Sequence, residues 1–291
     1  FSTEFTGFPT PLLKPRRCFF CVLPPSYTSE ICVTTNPSKK EKEIMTQTIN
    51  GAYTSAQIFT TNNQKTAIDQ YAISQLQMIC DQKSSDGCRI RVMPDVHPGK
   101  VGTIGLTMTI GKTIIPNLVG IDIGCGMTLA HIKGKKIEYQ KLDTVIRENI
   151  PSGFHIRAKV HRFAEDFDLD ALRCSRHIHT DKALLSLGSL GGGNHFIEAD
   201  QDTDSNLYIV IHSGSRHLGK EVTECYLNEG QKILKSKNIS VPYEMTWLEG
   251  ELMENYLHDL QIVQKFASYS ISKREEPIFY DCTDQFRTGT G

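Results

Sequence analysis

A carboxylate and a thiol in one glycine-rich segment are the first candidates for chemistry in this 291-residue chain. Residues 120–127 read Gly-Ile-Asp-Ile-Gly-Cys-Gly-Met, so Asp122 precedes Cys125 by three positions. Because glycines let the backbone turn tightly, both side chains can point at one ion. A hard oxygen with a soft sulfur suits a borderline cation such as zinc or manganese. The structural alternative, a buried cysteine in a glycine-rich bend, is equally open.

A second glycine-rich segment places an imidazole beside backbone that can bind phosphate. Residues 187–198 read Leu-Gly-Ser-Leu-Gly-Gly-Gly-Asn-His-Phe-Ile-Glu. Three consecutive glycines are costly to order, which favours a close approach of this backbone to a ligand, and its N–H groups can surround a phosphate. His195 is then a candidate metal ligand, and Asn194 and Glu198 are candidates for polar recognition. A flexible loop is the alternative interpretation.

A third segment ends an apolar strand with a histidine and continues into polar residues before a helix. His212 is followed by Ser-Gly-Ser-Arg, which ends at Arg216. Hydroxyl groups, the N–H groups of a helix N-terminus and a guanidinium together form a site for an anion. A strand end with a helix N-cap explains Ser213 and Ser215, but it does not explain His212 and Arg216 together.

A carboxylate and an imidazole also follow a short strand nearer the N-terminus. Residues 94–99 read Pro-Asp-Val-His-Pro-Gly, and Asp95 and His97 share one side of an extended chain. A turn with a capping aspartate is the favoured explanation of this segment alone. The segments together predict a combined metal and phosphate site. Its four candidate metal ligands are Asp122, Cys125, His195 and His212.

Composition limits the partners of such a site. Lys plus Arg is 32 and Asp plus Glu is 33, for a net charge of −1, which excludes a globally basic nucleic-acid-binding protein. Residues 131–162 are locally basic, as a polyanion-binding surface or a solvated face would be. No apolar run is long enough for a membrane span. The nine cysteines are odd in number and scattered, which fits free or metal-bound thiols better than a disulfide framework. Since such thiols persist in a reducing compartment, we expect a cytoplasmic location.

Helices and strands must position these segments. Apolar periodicity predicts helices over residues 66–80, 139–148, 221–235 and 249–267. Strands are predicted over residues 90–93, 121–125, 128–132 and 207–211. Residues 103–110 and 113–115 are predicted to pair as a hairpin around Gly111 and Lys112. Because helices and strands mix without a regular βαβ order, the predicted fold class is α+β.

Composition divides the chain into three parts. Residues 1–44 are rich in Pro, Ser and Thr without helical or strand periodicity, so we expect a non-homologous or disordered extension. Residues 45–267 carry the periodic elements and all four motifs, and we expect them to form the catalytic domain. Residues 268–291 have little apolar content and are expected to form an atypical tail.

Taken together and in this order, the four motifs resemble those of the RtcB family of RNA ligases. The resemblance covers about residues 45–267, the N-terminal two thirds of a usual family member. It implies an RtcB-like α+β fold, with β-sheets and flanking helices around a central metal cleft that is incomplete on its C-terminal side. It also implies Mn²⁺ and GTP as cofactors, and it allows an activating protein as a partner. The implied substrates are RNA ends with a 2′,3′-cyclic phosphate or 3′-phosphate and a 5′-hydroxyl, as in tRNA splicing or RNA repair.

The resemblance implies a role for each matching residue. Cys125 would bridge two manganese ions. Asp122 and His195 would complete the first ion, and His212 would bind the second. Asp95 resembles an acidic residue near the family's catalytic centre. The residues that would bind the nucleotide or an RNA phosphate are Asn194, Ser213 and Arg216, with Glu198 recognising guanine.

The family's third metal-binding histidine and its guanylated histidine belong to a C-terminal region beyond this similarity. His258 is the last histidine of the chain and lies in a predicted helix. We therefore expect the chain by itself to lack self-guanylation and ligase activity. A non-catalytic GTP- or RNA-binding relative and a metal-dependent phosphodiesterase stay open as alternatives. Cys125 as a nucleophile is less favoured, because the nearby Asp122 would raise the pKa of its thiol.

Overall fold

The computed structural model describes residues 44–61, 68–132 and 138–271. Helices and strands mix without a regular alternation there, which confirms the predicted α+β class. The strands are β1 Ile44–Asn50, β2 Ser55–Thr61, β3 Ile90–His97, β4 Ile104–Met108, β5 Thr113–Ile114, β6 Gly126–Ile132, β7 Phe196–Gln201, β8 Leu207–Ser213 and β9 Leu248–Glu249. The α-helices are α1 Gln70–Cys80, α2 Pro116–Val119, α3 Tyr139–Asn149, α4 Thr180–Ser186, α5 Arg216–Ser236 and α6 Gly250–Ile271.

The two end segments predicted from composition lie mostly outside the described residues. Residues 1–43 and 272–291 are not among them, and neither are residues 133–137 of the locally basic stretch. Helix α6 runs to Ile271 rather than ending at residue 267, so the start of the expected tail is helical. No helix within the described ranges has both the length and the apolar character needed to cross a membrane.

A four-stranded sheet in the order β1-β2-β3-β4 packs against helix α1. The β2–β3 pair is parallel, and the two outer pairs are antiparallel. Helix α1 begins later than predicted, because the side chain of Asp69 accepts a hydrogen bond from the N–H of Tyr71 (2.7 Å) and caps the helix. Residues 66–67 of the predicted helix lie outside the described part of the chain. The shared apolar core includes Ile58, Leu76, Ile79, Ile90 and Leu106.

The predicted hairpin between residues 103–110 and 113–115 is wrong. Strand β4 pairs with β3, whereas β5 pairs antiparallel with β9, and Ile114 lies opposite Leu248. Both of these residues are buried in the large core to which α5 and α6 contribute. Burial in that core outweighs the local turn signal at Gly111, because strand pairing depends on what the side chains pack against.

A three-stranded antiparallel sheet in the order β6-β8-β7 carries the segments with candidate metal ligands. The strands predicted over residues 128–132 and 207–211 are confirmed, and both extend to the pair formed by Gly126 and Ser213. One face packs on α3 through a core that contains Ile209 and Ile211. Because side chains alternate along a strand, His212 lies on the opposite face.

Residues 121–125, predicted as a strand, form a turn between α2 and β6 instead. Strand β3 continues to His97 instead of ending at residue 93, so Asp95 lies within a strand. The predicted helices over residues 139–148, 221–235 and 249–267 are confirmed as α3, α5 and α6. Helix α5 starts earlier than predicted, at Arg216, which brings its N-terminus next to the end of β8.

Candidate metal centre

A tight turn sets the spacing of Asp122 and Cys125. The N–H of Cys125 donates to the carbonyl of Asp122 (3.0 Å), and Gly124 between them has φ +77°, in the left-handed region that glycine tolerates best. An added Cβ at Gly124 would lie 2.7 Å from the Cβ of Ala267 on α6, so close packing also requires a glycine. The turn leads into β6 and places Cys125 directly before the sheet.

Strands β7 and β8 bring two histidines to the Cys125 thiol. His195 directly precedes β7, and His212 lies opposite Phe196 in the β7–β8 register. Nε2 of His212 lies 3.0 Å from Sγ of Cys125, and Nε2 of His195 lies 3.9 Å from it. The three ligand atoms all lie within 4.8 Å of one another. Among the described residues, they form the one group of three or more His, Cys, Asp or Glu side chains placed closely enough to share an ion.

Main-chain carbonyls orient both imidazole rings. Nδ1 of His195 lies 3.0 Å from the carbonyl oxygen of Leu190, and Nδ1 of His212 lies 2.9 Å from that of Asn194. Because a carbonyl oxygen only accepts, each Nδ1 carries a proton and donates it. In the neutral ring, Nε2 then presents its lone pair to the centre, as in metal-binding histidines held by a second hydrogen bond.

Burial keeps His212 neutral. Loss of solvent around the ring lowers the pKa of His212, and the hydrogen bond to the Asn194 carbonyl opposes this only in part. The charge of a protonated His195 would lower the pKa further. The neutral imidazole is the form that binds metal ions, so His212 is available as a ligand at neutral pH.

Asp122 reaches the centre through His195. Its Oδ2 lies 2.9 Å from Nε2 of His195, while Oδ1 accepts from the N–H and the hydroxyl of Ser215, at 2.9 and 3.2 Å. With Nδ1 of His195 protonated, a carboxylate oxygen beside Nε2 requires either a second ring proton or a cation shared by the two atoms. The contact between Cys125 and His212 requires a thiol proton or a cation in the same way. This donor set therefore fits a divalent cation.

Two arginines hold the glycine-rich loop in place. The guanidinium of Arg216 donates to the hydroxyl of Ser189 (3.1 Å) and to the carbonyl of Gly153 (2.9 Å). Gly153 lies outside the loop, and its N–H donates to the carbonyl of Gly191 within it (2.7 Å). Arg157 donates to the loop carbonyls of Leu187 and Gly188 (both 3.0 Å). Sequence reasoning missed Arg157, because nothing nearby distinguishes it from the other basic residues of its stretch.

Ser213 contacts the same loop from the end of β8. Its side chain is fully buried, and its hydroxyl donates to the carbonyl of Leu190 (2.8 Å). This is the carbonyl that accepts from Nδ1 of His195. In this structure, Ser213 and His195 are therefore linked through one oxygen atom, a relationship that the sequence spacing does not reveal.

The other predicted site residues lie around the centre. Asn194 is exposed, and its carbonyl orients His212. Glu198 is exposed on β7, on the same face as Phe196, whose ring centroid is 5.5 Å from that of His212. Partial burial and the charge of Asp200 raise the pKa of Glu198. The position of Asp95 differs, since it lies on β3 in another sheet, beside Gly105 of β4, and is not a member of the Cys125–His195–His212 group.

The sequence of the chain matches the model of a known protein family over the part that contains this site. The family model described as "tRNA-splicing ligase RtcB" matches residues 81–173 and 170–273. The matched ranges contain the whole cysteine–histidine group and the loops that orient it. The chain therefore belongs to the RtcB family, which confirms the resemblance of its four motifs.

Individual relatives extend beyond this chain. The RNA-splicing ligase RtcB of Escherichia coli K12 is 32% identical over 205 residues, covering 62% of this chain and 50% of the relative. The tRNA-splicing ligase RtcB of Methanococcus maripaludis is 28% identical over 204 residues, covering 52% and 42%. An RNA-splicing ligase RtcB homolog of Entamoeba dispar is 28% identical over 191 residues, covering 47% and 36%. The matched part of the chain spans about half the length of two curated RNA-splicing ligase relatives from Escherichia coli, RtcB and RtcB1.

Proposed function

We propose that this chain carries the metal-binding part of an RNA ligase that joins RNA ends bearing a 3′-phosphate or 2′,3′-cyclic phosphate to 5′-hydroxyl ends, using Mn²⁺ and GTP in the cytoplasm. The observation that supports the proposal most directly is the convergence of Nε2 of His195 and Nε2 of His212 on Sγ of Cys125, with both Nδ1 atoms held by carbonyls. The match to a tRNA-splicing ligase family supports RNA as the substrate.

The metal ligands in this proposal are Cys125, His195, His212 and Asp122. When bound, divalent cations supply positive charge that neutralises phosphate groups and aligns the reacting oxygens. The thiolate form of Cys125 contributes a negative charge, and the neutral rings of His195 and His212 contribute lone pairs. Ser215 holds one oxygen of Asp122, which leaves the other directed at the centre.

The surrounding residues would position GTP and RNA. Glu198 projects from β7 on the face that carries His212, where its carboxylate can accept hydrogen bonds from the Watson–Crick edge of guanine. Asn194 is part of the glycine-rich loop and Arg216 donates to the Ser189 hydroxyl of the same loop, so an amide and a guanidinium there could contact phosphate. Ser213 acts on this site through the Leu190 carbonyl. Asp95, on the four-stranded sheet, would contact the RNA, and an activating protein would be a further partner.

We expect the chain on its own to bind GTP without becoming guanylated. All ten histidines lie in the described residues, and only His195 and His212 belong to the metal group. His258 is on α6 with Nδ1 2.9 Å from Oδ1 of Asp259, in a separate network. Incubation with radiolabelled GTP and Mn²⁺ should leave no covalent label, and a labelled histidine would contradict this expectation.

Cobalt and manganese titrations test the metal site directly. The chain should bind Co²⁺ with a sulfur-to-metal charge-transfer band and should bind Mn²⁺ in competition with it. Cys125→Ala should remove the band and weaken Mn²⁺ binding by more than about 100-fold, since a direct ligand contributes more than an outer partner does. Cys225→Ala, which removes a thiol outside the group, is the matched control. Equal binding by the chain and Cys125→Ala would overturn the proposal.

RNA with defined ends separates the proposed activity from its alternatives. A 3′-phosphate RNA should bind more tightly in the presence of Mn²⁺ than in its absence, and this difference should disappear in Cys125→Ala. Release of inorganic phosphate, or opening of a cyclic phosphate without joining, would identify a metal-dependent phosphodiesterase instead. Metal-dependent binding that supports no joining when the C-terminal region of a family member is supplied as a second chain would identify a non-catalytic relative.

A further inference from the structure

An almost fully exposed phenylalanine follows the turn that contacts the glycine-rich loop. The side chain of Phe154 is 97% exposed, the largest value among the large apolar side chains that the structure describes. Because burial of an aromatic ring is favourable, a ring that the protein leaves in water keeps its whole surface available to a partner. Neither the metal group nor the residues proposed to bind nucleotide use this ring.

Hydrogen bonds to the loop and to α4 fix the backbone on both sides of the exposed ring. The N–H of Gly153 donates to the carbonyl of Gly191 (2.7 Å), and the N–H of Arg157 donates to the carbonyl of Leu185 (3.0 Å). Gly153 has φ +62°, and a Cβ there would meet no atom within 4 Å, so the backbone conformation and not packing favours this glycine. The turn therefore presents Phe154 from a defined position.

The same turn adjoins the candidate metal centre. The guanidinium of Arg216 donates to the carbonyl of Gly153 (2.9 Å), and an added Cβ at Gly191 would lie 2.6 Å from Nδ1 of His195. Gly191 thus contacts the turn through its carbonyl and lies beside the His195 ring. One loop residue therefore separates a candidate metal ligand from the turn that carries Phe154.

The chain around this ring is basic. Residues 149–164 contain no Asp or Glu, and their cationic side chains are those of Arg157, Lys159 and Arg162. Lys159 and Arg162 are exposed, whereas Arg157 donates to the loop carbonyls. Exposed rings beside cations are typical of surfaces that bind single-stranded nucleic acid, where bases stack on the rings and phosphates contact the cations. An apolar protein partner would have to bury these charges, so RNA fits this surface better.

We propose that Phe154 stacks against a base of the single-stranded RNA whose end lies at the metal centre, while Lys159 and Arg162 contact its phosphates. This inference rests on the proposed function, which supplies the RNA. Every base has a π-face, so the contact should hold the RNA end in position without reading its sequence. Bases within a duplex are already stacked on their neighbours, so the surface should favour unpaired ends over paired ones.

Binding of a short single-stranded RNA with a 3′-phosphate, measured by fluorescence anisotropy with Mn²⁺ present, tests the role of the ring. Phe154→Ala should weaken RNA binding by about 5- to 100-fold, the range for loss of one stacked base, and Phe154→Trp should preserve it. Mn²⁺ affinity should not change in either variant. Tyr71→Ala, which removes a 61% exposed ring on α1 outside the basic segment, is the matched control and should bind RNA like the wild-type chain.

The salt dependence of RNA binding separates stacking from charge. Lys159→Ala should reduce the slope of log affinity against log salt by about one, because one phosphate contact is lost. Phe154→Ala should leave this slope unchanged, since it removes no charge. A reduced slope for Phe154→Ala would contradict a contact made by stacking.

Tryptophan fluorescence reports the stacking itself. In Phe154→Trp, emission of the new indole should be quenched by the RNA but not by an abasic RNA of the same length, which keeps the phosphates and lacks the bases. The chain has one tryptophan of its own, Trp247, which packs against the core of the four-stranded sheet. The wild-type chain therefore supplies the background signal.

The outcomes distinguish this proposal from the proposed function. Mn²⁺-dependent RNA binding that is equal in the wild-type chain and Phe154→Ala, or equal quenching by normal and abasic RNA, would overturn the stacking proposal and leave the proposed function standing. RNA binding that requires Phe154 but neither Mn²⁺ nor Cys125 would support stacking and contradict the metal-dependent function. A wild-type chain that binds no RNA would overturn both and leave the ring to a protein partner.

Discussion

The main-chain carbonyl of Asn194 accepts a hydrogen bond from Nδ1 of His212 at 2.9 Å. Asn194 directly precedes His195, so the residue before one candidate ligand sets the orientation of the other. The carbonyl of Leu190 does the same for His195 at 3.0 Å. The glycine-rich loop therefore determines how both imidazoles face Cys125. Substitutions in that loop should affect metal binding even when the metal ligands themselves are unchanged.

Removing the Ser213 hydroxyl should weaken metal binding while the fold persists. Ser213 donates to the Leu190 carbonyl at 2.8 Å, and this oxygen also accepts from His195. Ser213→Ala frees the carbonyl to move, so Mn²⁺ affinity should fall by about tenfold, the lower end of the range for outer partners of metal ligands. Isothermal titration with Mn²⁺ measures the change.

Ser186→Ala is the matched control for Ser213→Ala. Ser186 is also buried and its hydroxyl donates to a carbonyl, that of Ala183 (2.7 Å), but it lies on α4 and contacts no candidate ligand in the hydrogen bonds described. It should lower stability to a similar extent and leave Mn²⁺ affinity unchanged. If the two variants lose affinity equally, Ser213 has no particular link to the centre.

Alanine substitutions at two glycines of the loop should distinguish the cost of backbone strain from the cost of steric overlap. Gly191 has φ +95°, and a Cβ there would overlap the guanidinium of Arg216 and lie 2.6 Å from Nδ1 of His195. Gly193 has φ +75°, and a Cβ there would meet no atom within 4 Å. Gly193→Ala should therefore cost about 1–2 kcal/mol of unfolding free energy from the left-handed backbone alone.

Gly191→Ala should cost about 1–3 kcal/mol more than Gly193→Ala, because overlap with fixed neighbours adds to the strain. It should also reduce Mn²⁺ affinity, since Arg216 and His195 must move. Urea denaturation of both variants, followed by Mn²⁺ titration of the folded proteins, provides the comparison. A smaller loss of stability for Gly191→Ala than for Gly193→Ala would contradict the described loop geometry.

The charged carboxylate of Asp259 should increase the free energy of unfolding, and this contribution should be lost at acidic pH. Burial alone would raise its pKa, but hydrogen bonds from His258, Tyr226 and the N–H of Arg173 outweigh burial and lower it. The folded state therefore favours the carboxylate, and its contribution is complete above the ordinary aspartate pKa and lost as pH falls through the lowered value. Asp259→Asn should cost about 2–3 kcal/mol at neutral pH, because an amide cannot accept at both positions.

The difference in unfolding free energy between the wild-type chain and Asp259→Asn should shrink below about pH 4, where the wild-type side chain also loses its charge. Urea denaturation at several pH values measures this difference. Glu254→Gln, an exposed change on the same helix, should produce a much smaller and nearly pH-independent effect. A constant difference for Asp259→Asn across the acid range would mean that the charge of Asp259 contributes nothing.

The sequence predicts the elements with strong periodicity and the segments that carry polar side chains. Helices α3, α5 and α6 and strands β6 and β8 follow from apolar spacing alone, because each buries one face within a short stretch. The motifs also identify Cys125, His195 and His212, which the structure brings within 4.8 Å of one another. Glycine spacing was informative here, since the turn at Gly124 has a backbone conformation that few other residues adopt.

Contacts between distant segments could not be predicted in this way. The pairing of β5 with β9 depends on a core that only the folded chain has, so the local turn at Gly111 was misleading. The hydrogen bonds from Arg157 to the glycine-rich loop likewise join residues that are about 30 positions apart and share no motif. The predicted strand over residues 121–125 is wrong. Ile123 is buried, as expected for a strand residue, but it enters the core from a turn and not from a sheet.

Glu198 should determine the preference for guanine if the proposed nucleotide site is correct. A carboxylate accepts two hydrogen bonds from the ring N–H and amino group of guanine, whereas adenine offers no such pair. Glu198→Gln replaces one acceptor by a donor, so GTP affinity in the presence of Mn²⁺ should fall by about 10–100-fold, as expected for lost hydrogen bonds to a charged group. Affinity for ATP should change little, and Mn²⁺ affinity should not change.

Asp200→Asn removes the same charge two residues further along the same face of β7 and is the matched control. It should leave GTP affinity intact, because Asp200 lies further from the metal group. Burial and Asp200 raise the pKa of Glu198, so GTP binding should also weaken on acidification at a higher pH than an ordinary glutamate would cause, and Asp200→Asn should shift that loss to lower pH. Equal losses of GTP affinity in the two variants would assign the effect to general negative charge rather than to guanine recognition.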